Sequence, residues 1–475
     1  MNLPLPPKLP GVPLLGNFLQ YRRDHVDVFW EGYRRFGPIF SLQLGPQRAV
    51  VLIGPENNRF FFSQVDRTLS VPEIYKFVIP MFGTVLNAEA DQDTRLNQLA
   101  LLHSAFKGEK MNAHLNIMFR ETREWIDSLQ KEGTFEVYEA LTVLAMRIAA
   151  RAFMGEEIRA RLPEFLPLYQ DLARGMDFVL PPNLPLPRFR RRDRARRKLN
   201  QLIQPILDHR RRNSCEYHDF LQVIVEGKYR GATDADETII GLALLTVFTA
   251  YITTAAQACW ALVEILRHPD YLAELRAEQE AILHGRMENL NLENVGRLEK
   301  LDWAVKEAQR LHPVMSHYAR YNSQPYELNG YQIQQGWLTM LCPAVSHRLS
   351  HVFRDPHHFD PERFSPARAE DRKEPYGLIG FGGGVYRCPG AAFGTNEIKC
   401  ILSLLFEQFQ LELLDPEPRR AYDMGIIRPS PPCRVRYSER TSSEKSTTSS
   451  TFSLPSMVVQ RSDSSCPINA ANSHS

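Results

Sequence analysis

The sequence predicts one large α+β fold that is mostly helical, and three observations support this. Helical spacing of apolar residues recurs along most of the 475 residues, whereas strand patterns are few and occur in two places. The hydrophobic fraction of 43 % supplies enough apolar side chains for a large core. No linker-like change in composition interrupts residues 1–437, so a single domain is predicted there. Residues 438–475 are rich in Ser and Thr, which predicts a disordered tail.

The individual elements follow from periodicity and turn residues. Residues 38–54 predict two strands joined near Gly45, and residues 321–342 predict a second hairpin that turns at Asn329-Gly330. Small β-sheets are therefore expected near the N-terminus and again late in the chain. The helical patterns cover residues 26–36, about 96–130, 137–154, 194–212, 236–267, 270–285 and 301–311.

Charge and cysteine usage exclude several classes of protein. Lys and Arg number 57 against 55 Asp and Glu, a net charge of +2 that gives no support for a nucleic-acid partner. The seven cysteines are an odd number and form no C-x-x-C pair. Free thiols in a reducing compartment are therefore expected, with a cytoplasmic location.

One internal segment is long and apolar enough to raise the question of a membrane helix. Residues 239–263 carry no charged side chain. The segment is solitary and contains several threonines, which favours a buried central helix over a membrane span. The five prolines within residues 4–13 exclude a signal peptide or a spanning helix there. At most peripheral membrane contact is expected.

A basic run follows a Pro-rich loop at residues 180–187. It can be a solvated helix face, or it can contact an anionic surface such as membrane headgroups beside the apolar loop. The sequence leaves both open. The run consists of Arg188, Arg190, Arg191, Arg192, Arg194, Arg196, Arg197 and Lys198.

Residues 377–390 form a glycine-rich turn that delivers Cys388 to the start of an Ile- and Leu-rich helical pattern. Backbone N–H groups and the helix dipole at such a position favour thiolate, which makes the sulfur a suitable metal ligand. The glycines can also cradle a phosphate, but no Lys-Ser/Thr pair follows them as in a phosphate-binding loop. A nucleophilic or redox-active cysteine and a buried structural cysteine stay open as alternatives.

The spacing Phe381-x-x-Gly384-x-x-x-Cys388-x-Gly390 resembles the haem-binding segment of the cytochrome P-450 family. Three further features occur in the order that the family has. They are Glu307-x-x-Arg310, the segment Pro361-Glu362-Arg363-Phe364, and the uncharged helix 239–263 with Thr253 near its middle. The resemblance covers residues 1 to about 437 and implies a single cytochrome P-450 fold.

By this resemblance the cofactor is haem b, with Cys388 as the axial thiolate of its iron. Phe381 would shield the thiolate, while Gly384 and Gly390 would let the backbone approach the porphyrin. Contacts to the haem propionates are expected from Tyr75, Arg320 and Arg387. A buried charge network that holds the haem side of the fold is expected from Glu307, Arg310 and Arg363.

The chain departs from the family at two places. The family commonly has Arg two residues before the cysteine, where this sequence has Tyr386. The family also places an acid, or His in sterol demethylases, where this sequence has Ile252. Thr253 and Thr254 are then the candidate catalytic alcohols, with Thr253 able to bind iron-bound dioxygen or to orient a water. The alternative for Thr253 is a hydroxyl bonded back to the helix.

Residues 74–88 resemble the substrate-recognition segment of sterol 14α-demethylases, with Tyr75, Pro80, Phe82 and Gly83 matching. The resemblance implies a bulky, flat, apolar substrate such as a sterol or triterpenoid. The residues expected to line its pocket are Tyr75, Phe77, Met81, Phe82 and Ala250.

The resemblance implies a haem-thiolate monooxygenase that uses O2 and electrons from a separate ferredoxin or flavoprotein reductase. Arg387 and Lys399 are candidate contacts for an acidic partner, and a monomer is expected. The alternatives are a haem-thiolate isomerase or peroxygenase, which needs no acid–alcohol relay, and a protein that binds haem or an apolar ligand without turnover.

Overall fold

The computed structural model describes residues 3–89, 91–177, 180–213, 217, 219–227 and 235–441. The α-helices of these residues follow in chain order. They are α1 Phe18–Phe36, α2 Pro55–Ser63, α3 Pro72–Tyr75, α4 Ile79–Phe82, α5 Gln92–Ala105, α6 Glu109–Asp127, α7 Val137–Met154, α8 Leu162–Ala173, α9 Pro187–Arg212, α10 Phe220–Val225, α11 Ala235–Leu266, α12 Pro269–Leu283, α13 Leu292–Arg297, α14 Glu299–Leu311, α15 Pro343–Ser346, α16 Glu370–Lys373 and α17 Ala391–Gln408.

The strands that the structure describes are short and gather into four small sheets. The strands are β1 Ile39–Leu44, β2 Gln47–Leu52, β3 Leu69–Ser70, β4 Glu132–Glu136, β5 Tyr318–Asn322, β6 Tyr326–Leu328, β7 Tyr331–Ile333, β8 Leu338–Leu341, β9 Phe409–Leu413, β10 Arg420–Asp423, β11 Ile426–Pro429 and β12 Arg434–Glu439. The largest sheet has the order β1-β2-β8-β5-β3, and the others are β4-β12-β9, β10-β11 and β6-β7. Helices therefore dominate and strands are few, which confirms the predicted α+β class.

Both predicted hairpin regions form sheet structure. In the first, Ile39 lies opposite Leu52 and Leu44 opposite Gln47. The second region supplies β6, β7 and β8, and β8 runs parallel to β2, so the two regions meet in one sheet. The sheet β4-β12-β9 was not predicted. Its strands are short, and β4 lies far from its partner β12 in sequence, with Val435 between Phe135 and Leu413.

Helix α11 is the centre of the main core. It packs against α7, α14 and α17, and most of its side chains are buried. It is the one helix of the described residues that is long and apolar enough to cross a membrane, and 83 % of its most apolar window is buried inside the protein. Burial by the rest of the fold is what the buried-helix interpretation predicts.

The single helix expected at about 96–130 is wrong, because the structure has two helices there. α5 ends at Ala105 and α6 begins at Glu109. Between them Gly108 has φ +61°, a left-handed conformation that interrupts a right-handed helix.

The described fold continues slightly beyond residue 437. β12 continues to Glu439, and Arg440 is buried, where it donates a hydrogen bond to the carbonyl of Phe406 at 3.3 Å. Residues 442–475, most of the predicted tail, lie outside the described residues.

Candidate active site

Cys388 stands at the end of a closed glycine turn. Its backbone N–H donates to the carbonyl of Phe381 at 2.9 Å, which fixes the width of the turn. Gly384 has φ +61°, and a Cβ added there would lie 3.2 Å from the carbonyl oxygen of Phe62. Helix α17 begins three residues after the cysteine, with Gly390 at its N-cap. The turn thus needs glycine for its shape and presents the sulfur beside a helix N-terminus.

Cys388 differs from every other cysteine that the structure describes. Cys259, Cys342, Cys400 and Cys433 are buried, whereas Cys388 is accessible. Desolvation by the surrounding protein nevertheless raises the pKa of the Cys388 thiol. The backbone N–H of Gly390 and the charge of Arg387 act in the opposite direction. A bound metal cation would shift the balance to thiolate.

Helix α11 exposes one short face. Between Ile240 and Ile265 its accessible residues are Thr249, Ala250 and Thr253, which lie within one turn of each other. The hydroxyl of Thr253 donates to the carbonyl of Thr249 at 2.7 Å, the back-bonded arrangement that was the alternative for this residue. Its oxygen keeps lone pairs that can accept a further hydrogen bond.

Thr254 points elsewhere. Its Oγ1 lies 3.4 Å from the position that a Cβ would take at Gly394 of α17, and its side chain is buried. The two candidate alcohols therefore separate, with Thr253 on the accessible face and Thr254 at the contact between α11 and α17. Ile252 is buried, as an aliphatic side chain in a core helix should be.

Arg320 is a buried cation whose hydrogen bonds are incomplete. It is 4 % exposed, one terminal nitrogen donates to the carbonyl of Ala319 at 2.8 Å, and its Nε has no partner among the described residues. Its guanidinium lies 6.0 Å from the ring of Tyr75. The hydroxyl of Tyr318, on the same strand, donates to the carbonyl of Ile379 at 2.9 Å and so ties β5 to the glycine turn.

This donor set fits haem. The Cys388 thiol at a helix N-terminus suits the iron, and the glycine turn permits close approach of the macrocycle. The buried guanidinium of Arg320, which has no acidic partner among the described residues, suits a carboxylate of the cofactor. Cys388, Arg320 and Tyr75 are the residues that would hold it, with Arg387 exposed next to the cysteine.

Tyr386 takes part in a small polar cluster that the sequence did not predict. Arg95 donates to its hydroxyl at 2.7 Å and also pairs with Asp66 at 2.6 Å. The hydroxyl of Tyr386 in turn donates to Asp66. The position where the family commonly has Arg is therefore linked to a buried Arg from α5. Asp66 lies far from Tyr386 in sequence and follows no motif, so no local signal could have identified it.

The predicted charge network is present and fully buried. Arg310 donates two hydrogen bonds of 2.8 Å to Glu307, and Nε of Arg363 donates to the same carboxylate at 3.0 Å. All three side chains are 0 % exposed. Arg363 also pairs with Glu370 at 2.8 Å, a partner that the motifs did not reveal.

The network is connected to the glycine turn. Arg310 donates to the carbonyl of His347 at 2.9 Å, and the His347 ring accepts a hydrogen bond from the backbone N–H of Ile379 at 2.9 Å. Burial lowers the pKa of His347 to about 3, which keeps its imidazole neutral and able to accept.

The segment 74–88 lies against α11, as its predicted role requires. Tyr75 and Phe77 are partly accessible and stack with their rings 6.1 Å apart. Met81 and Phe82 are fully buried, and the ring of Phe82 lies 5.6 Å from that of Phe248 on α11. Tyr75, Phe77 and Ala250 are thus partly accessible, whereas Met81 and Phe82 are buried in the main core.

Comparison with known proteins gives a consistent result. The family model for cytochrome P-450 matches residues 6–437. A sterol 14-demethylase of Arabidopsis thaliana is 30 % identical and is covered over 92 % of both chains. A sterol 14α-demethylase of Mycolicibacterium vanbaalenii is 30 % identical over 90 % of this chain and 96 % of its own. A lanosterol 14-alpha demethylase of Bos taurus is 28 % identical over 90 % and 87 %.

A solved structure shares the fold. A retinoic acid-bound cyanobacterial protein superposes with a TM-score of 0.81 at 24 % identity, over 93 % of this chain and all of the other. Family members bind haem iron through a cysteine thiolate and act as monooxygenases. With its matched residues and its glycine-turn cysteine, the chain belongs to the cytochrome P-450 family.

Proposed function

We propose that this cytochrome P-450 monooxygenase oxidises a sterol or triterpenoid, in the manner of a sterol 14α-demethylase. The observation that supports the proposal is the segment 74–88, which resembles the sterol-recognition segment, packs against α11 through Phe82 and Phe248, and leaves Tyr75 and Phe77 partly accessible. Relatives named as sterol 14-demethylases match nearly the whole chain. A flat apolar polycycle suits these aromatic and aliphatic side chains.

Each residue of the site has a defined task in this proposal. Haem b, when bound, supplies the redox centre at which dioxygen is activated. Cys388 ligates its iron, Phe381 covers the sulfur, and Gly384 and Gly390 leave space for the macrocycle. Arg320 hydrogen-bonds a carboxylate, helped by Tyr75 and Arg387.

Thr253 has the task of accepting a hydrogen bond at the accessible face of α11. Tyr75, Phe77 and Ala250 orient the substrate and exclude water from it, and Met81 and Phe82 support that wall from behind. Thr254 holds α11 against α17.

The electrons come from outside the chain. The net reaction converts a C–H bond, O2, two electrons and two protons into a C–OH bond and water. A separate ferredoxin or flavoprotein reductase supplies the electrons, and the enzyme acts as a monomer. Arg387 is exposed and available to an acidic partner, but the same expectation for Lys399 is wrong. Lys399 is 2 % exposed and its Nζ lies 4.0 Å from Asp302, because it sits on the buried side of α17.

Substrate class can be read from the haem spin state. We expect sterols and triterpenoids to produce a low- to high-spin shift in the purified enzyme, because a polycycle that fills the site displaces water from the iron. Fatty acids of similar mass should produce little or none, since they cannot stack on Tyr75 and Phe77. Titration by difference absorbance measures the shift. Absence of a shift with every sterol, together with one for a fatty acid, would contradict the sterol proposal.

A haem-thiolate peroxygenase or isomerase is the second candidate. Ile252 favours it, because α11 has no charged side chain between Glu237 and Glu264 that could deliver protons. Turnover with peroxide but none with a reductase and NADPH would select this candidate.

The location that we propose is cytoplasmic with peripheral contact to anionic membranes. Five cations of α9 are exposed at positions that share one helix face, and none has an ion-pair partner among the described residues. The exposed Leu180 and Leu184 precede this face in the chain. The basic stripe consists of Arg190, Arg191, Arg194, Arg197 and Lys198.

Replacing Arg190, Arg194 and Arg197 together by Gln should weaken binding to anionic vesicles. At about 1 kcal/mol per cation near the surface, the triple variant should lose about two orders of magnitude in partition coefficient. Cosedimentation with vesicles of phosphatidylglycerol and phosphatidylcholine measures this. The matched control is Arg211→Gln on the same helix, whose cation already pairs with Asp236. If the wild type binds equally well to purely neutral vesicles, the basic stripe does not mediate the membrane contact.

A further inference from the structure

The accessible face of α11 lacks an obvious source of protons. Thr249 donates its hydroxyl proton to the carbonyl of Leu245 at 3.0 Å, and Thr253 donates to the carbonyl of Thr249 at 2.7 Å. Both hydroxyls can accept, but each has its one proton engaged in the helix. Ile252, at the position of the family's acid, has no proton to give. A donor near Thr253 is therefore required.

Gln257 is a buried side chain whose hydrogen-bonding capacity is unmet. It is 5 % exposed, and neither its Oε1 nor its Nε2 has a hydrogen-bond partner among the described residues. A buried primary amide carries two donors and can accept at its oxygen, so leaving all of them unpaired costs on the order of several kcal/mol. Native proteins usually meet such groups with ordered water.

Gln257 lies on the same stripe of helix α11 as the accessible Ala250 and Thr253. This α11 stripe is distinct from the basic stripe of α9. At about 100° per residue, Gln257 is rotated by about 40° from Thr253 and by about 20° from Ala250. Long helical side chains lean toward the N-terminus, so its amide extends back toward the turn of Thr253. One helical turn separates the two residues, a distance that a bridging water can span.

The α11 stripe continues to the C-terminal end of the helix, where Glu264 lies. Trp260 has a buried Nε1 without a partner among the described residues, and its ring stacks on His312 at 3.9 Å. Nε2 of His312 lies 2.7 Å from the carboxylate of Glu264, which also pairs with the partly exposed Arg267 at 3.3 Å. From Thr253 to Glu264 the helix rises by about 17 Å. Polar groups thus recur along this length of an otherwise apolar helix.

We propose that Gln257 is a positioning residue that holds the water from which protons reach Thr253, in place of the acid that Ile252 replaces. The amide oxygen and nitrogen fix this water, the water donates to the Thr253 oxygen, and protons are replenished along the stripe from the His312–Glu264 end. The two protons are those of the balanced reaction above, in which one oxygen atom enters the C–H bond and the other leaves as water. The proposal rests on the proposed monooxygenase function.

The test compares Gln257→Met with wild type in the full-length, haem-loaded enzyme, with a surrogate ferredoxin, its reductase and NADPH. We expect product formed per NADPH to fall on the order of tenfold, with the electrons appearing as hydrogen peroxide and with a larger solvent isotope effect. Peroxide-driven product formation should be unchanged, because peroxide brings its own protons. Gln257→Glu should restore coupling, since a carboxyl group can hold the same water.

Thermal unfolding supplies a readout that does not depend on turnover. Met is close to Gln in size, so the melting temperature should rise if the amide has no partner and should stay level or fall if it binds water. Gln279→Met is the matched control, because Gln279 is equally buried but bonds to the carbonyl of Ser403 away from this stripe, and it should leave coupling unchanged.

Unchanged coupling in Gln257→Met, an equal loss of peroxide-driven activity, or a higher melting temperature would each overturn the role of Gln257 while leaving the proposed function intact. A wild type with no reductase-driven turnover would overturn the proposed function, and the role of Gln257 with it.

Discussion

Replacing Cys388 by Ala should abolish the thiolate-type absorbance of the reduced, CO-bound enzyme and, with it, all reductase-driven oxidation. Cys388 is the accessible cysteine of the described residues, and it ends the turn whose shape depends on Gly384. Without the sulfur no other described thiol can reach the same point, because Cys259, Cys342, Cys400 and Cys433 are buried elsewhere. Electron donation from a thiolate is what favours O–O cleavage in this family.

The substitution should leave the fold intact. Removing one accessible sulfur at the end of a turn creates little buried cavity, so the loss in unfolding free energy should be small beside the loss of activity. Far-ultraviolet circular dichroism and binding of haem by absorbance check this. The control is Cys400→Ala, at a buried position of α17, which should keep the thiolate band. A thiolate band that persists in Cys388→Ala would disprove the axial assignment.

Much of this site could be predicted because its signals are local. The glycine turn needs left-handed conformations that only glycine adopts readily, so its spacing in sequence reflects its geometry directly. The central helix was predicted at residues 236–267 and lies at Ala235–Leu266, because a long uncharged segment is stable only when it is buried.

What the sequence did not predict depends on long-range pairing. Asp66, which pairs with Arg95, and Glu370, which pairs with Arg363, are ordinary acidic residues until the fold brings a cation to them. β12 has a short alternation of buried Val435 and Tyr437, but this pattern does not specify its partner strands β4 and β9. Lys399 follows Cys388 closely in sequence, which made it a candidate contact for an acidic partner, but the helix periodicity of α17 turns it inward.

Replacing Glu307 by Gln should have the largest effect on stability of any single change in the charge network. The carboxylate of Glu307 receives hydrogen bonds from both Arg310 and Arg363, and all three side chains are 0 % exposed. Gln is nearly the same size, so the change removes charge without opening a cavity. Arg310 then loses its carboxylate partner and keeps its backbone carbonyls, whereas Arg363 keeps the carboxylates of Glu370 and, at 3.8 Å, Asp360.

We expect a loss of about 3–5 kcal/mol in the free energy of unfolding, the usual cost of leaving a buried cation without its counter-ion. Denaturant titration of the haem-loaded enzyme measures it. The control is Glu412→Gln, whose carboxylate pairs with Arg436 at a site where both side chains are about 60 % exposed, and which should change stability by less than about 1 kcal/mol.

Haem retention should also fall in Glu307→Gln, although Glu307 is not one of the residues that would hold the haem. Arg310 bonds to the carbonyl of His347, and the ring of His347 accepts the N–H of Ile379 at the start of the glycine turn. When Arg310 loses its carboxylate partner, its hydrogen bond to His347 is held less rigidly, and so is the turn that carries Cys388. Transfer of haem to apomyoglobin should be faster in Glu307→Gln than in Glu412→Gln. If stability falls but haem transfer stays at the wild-type rate, the network supports the fold without positioning the cysteine.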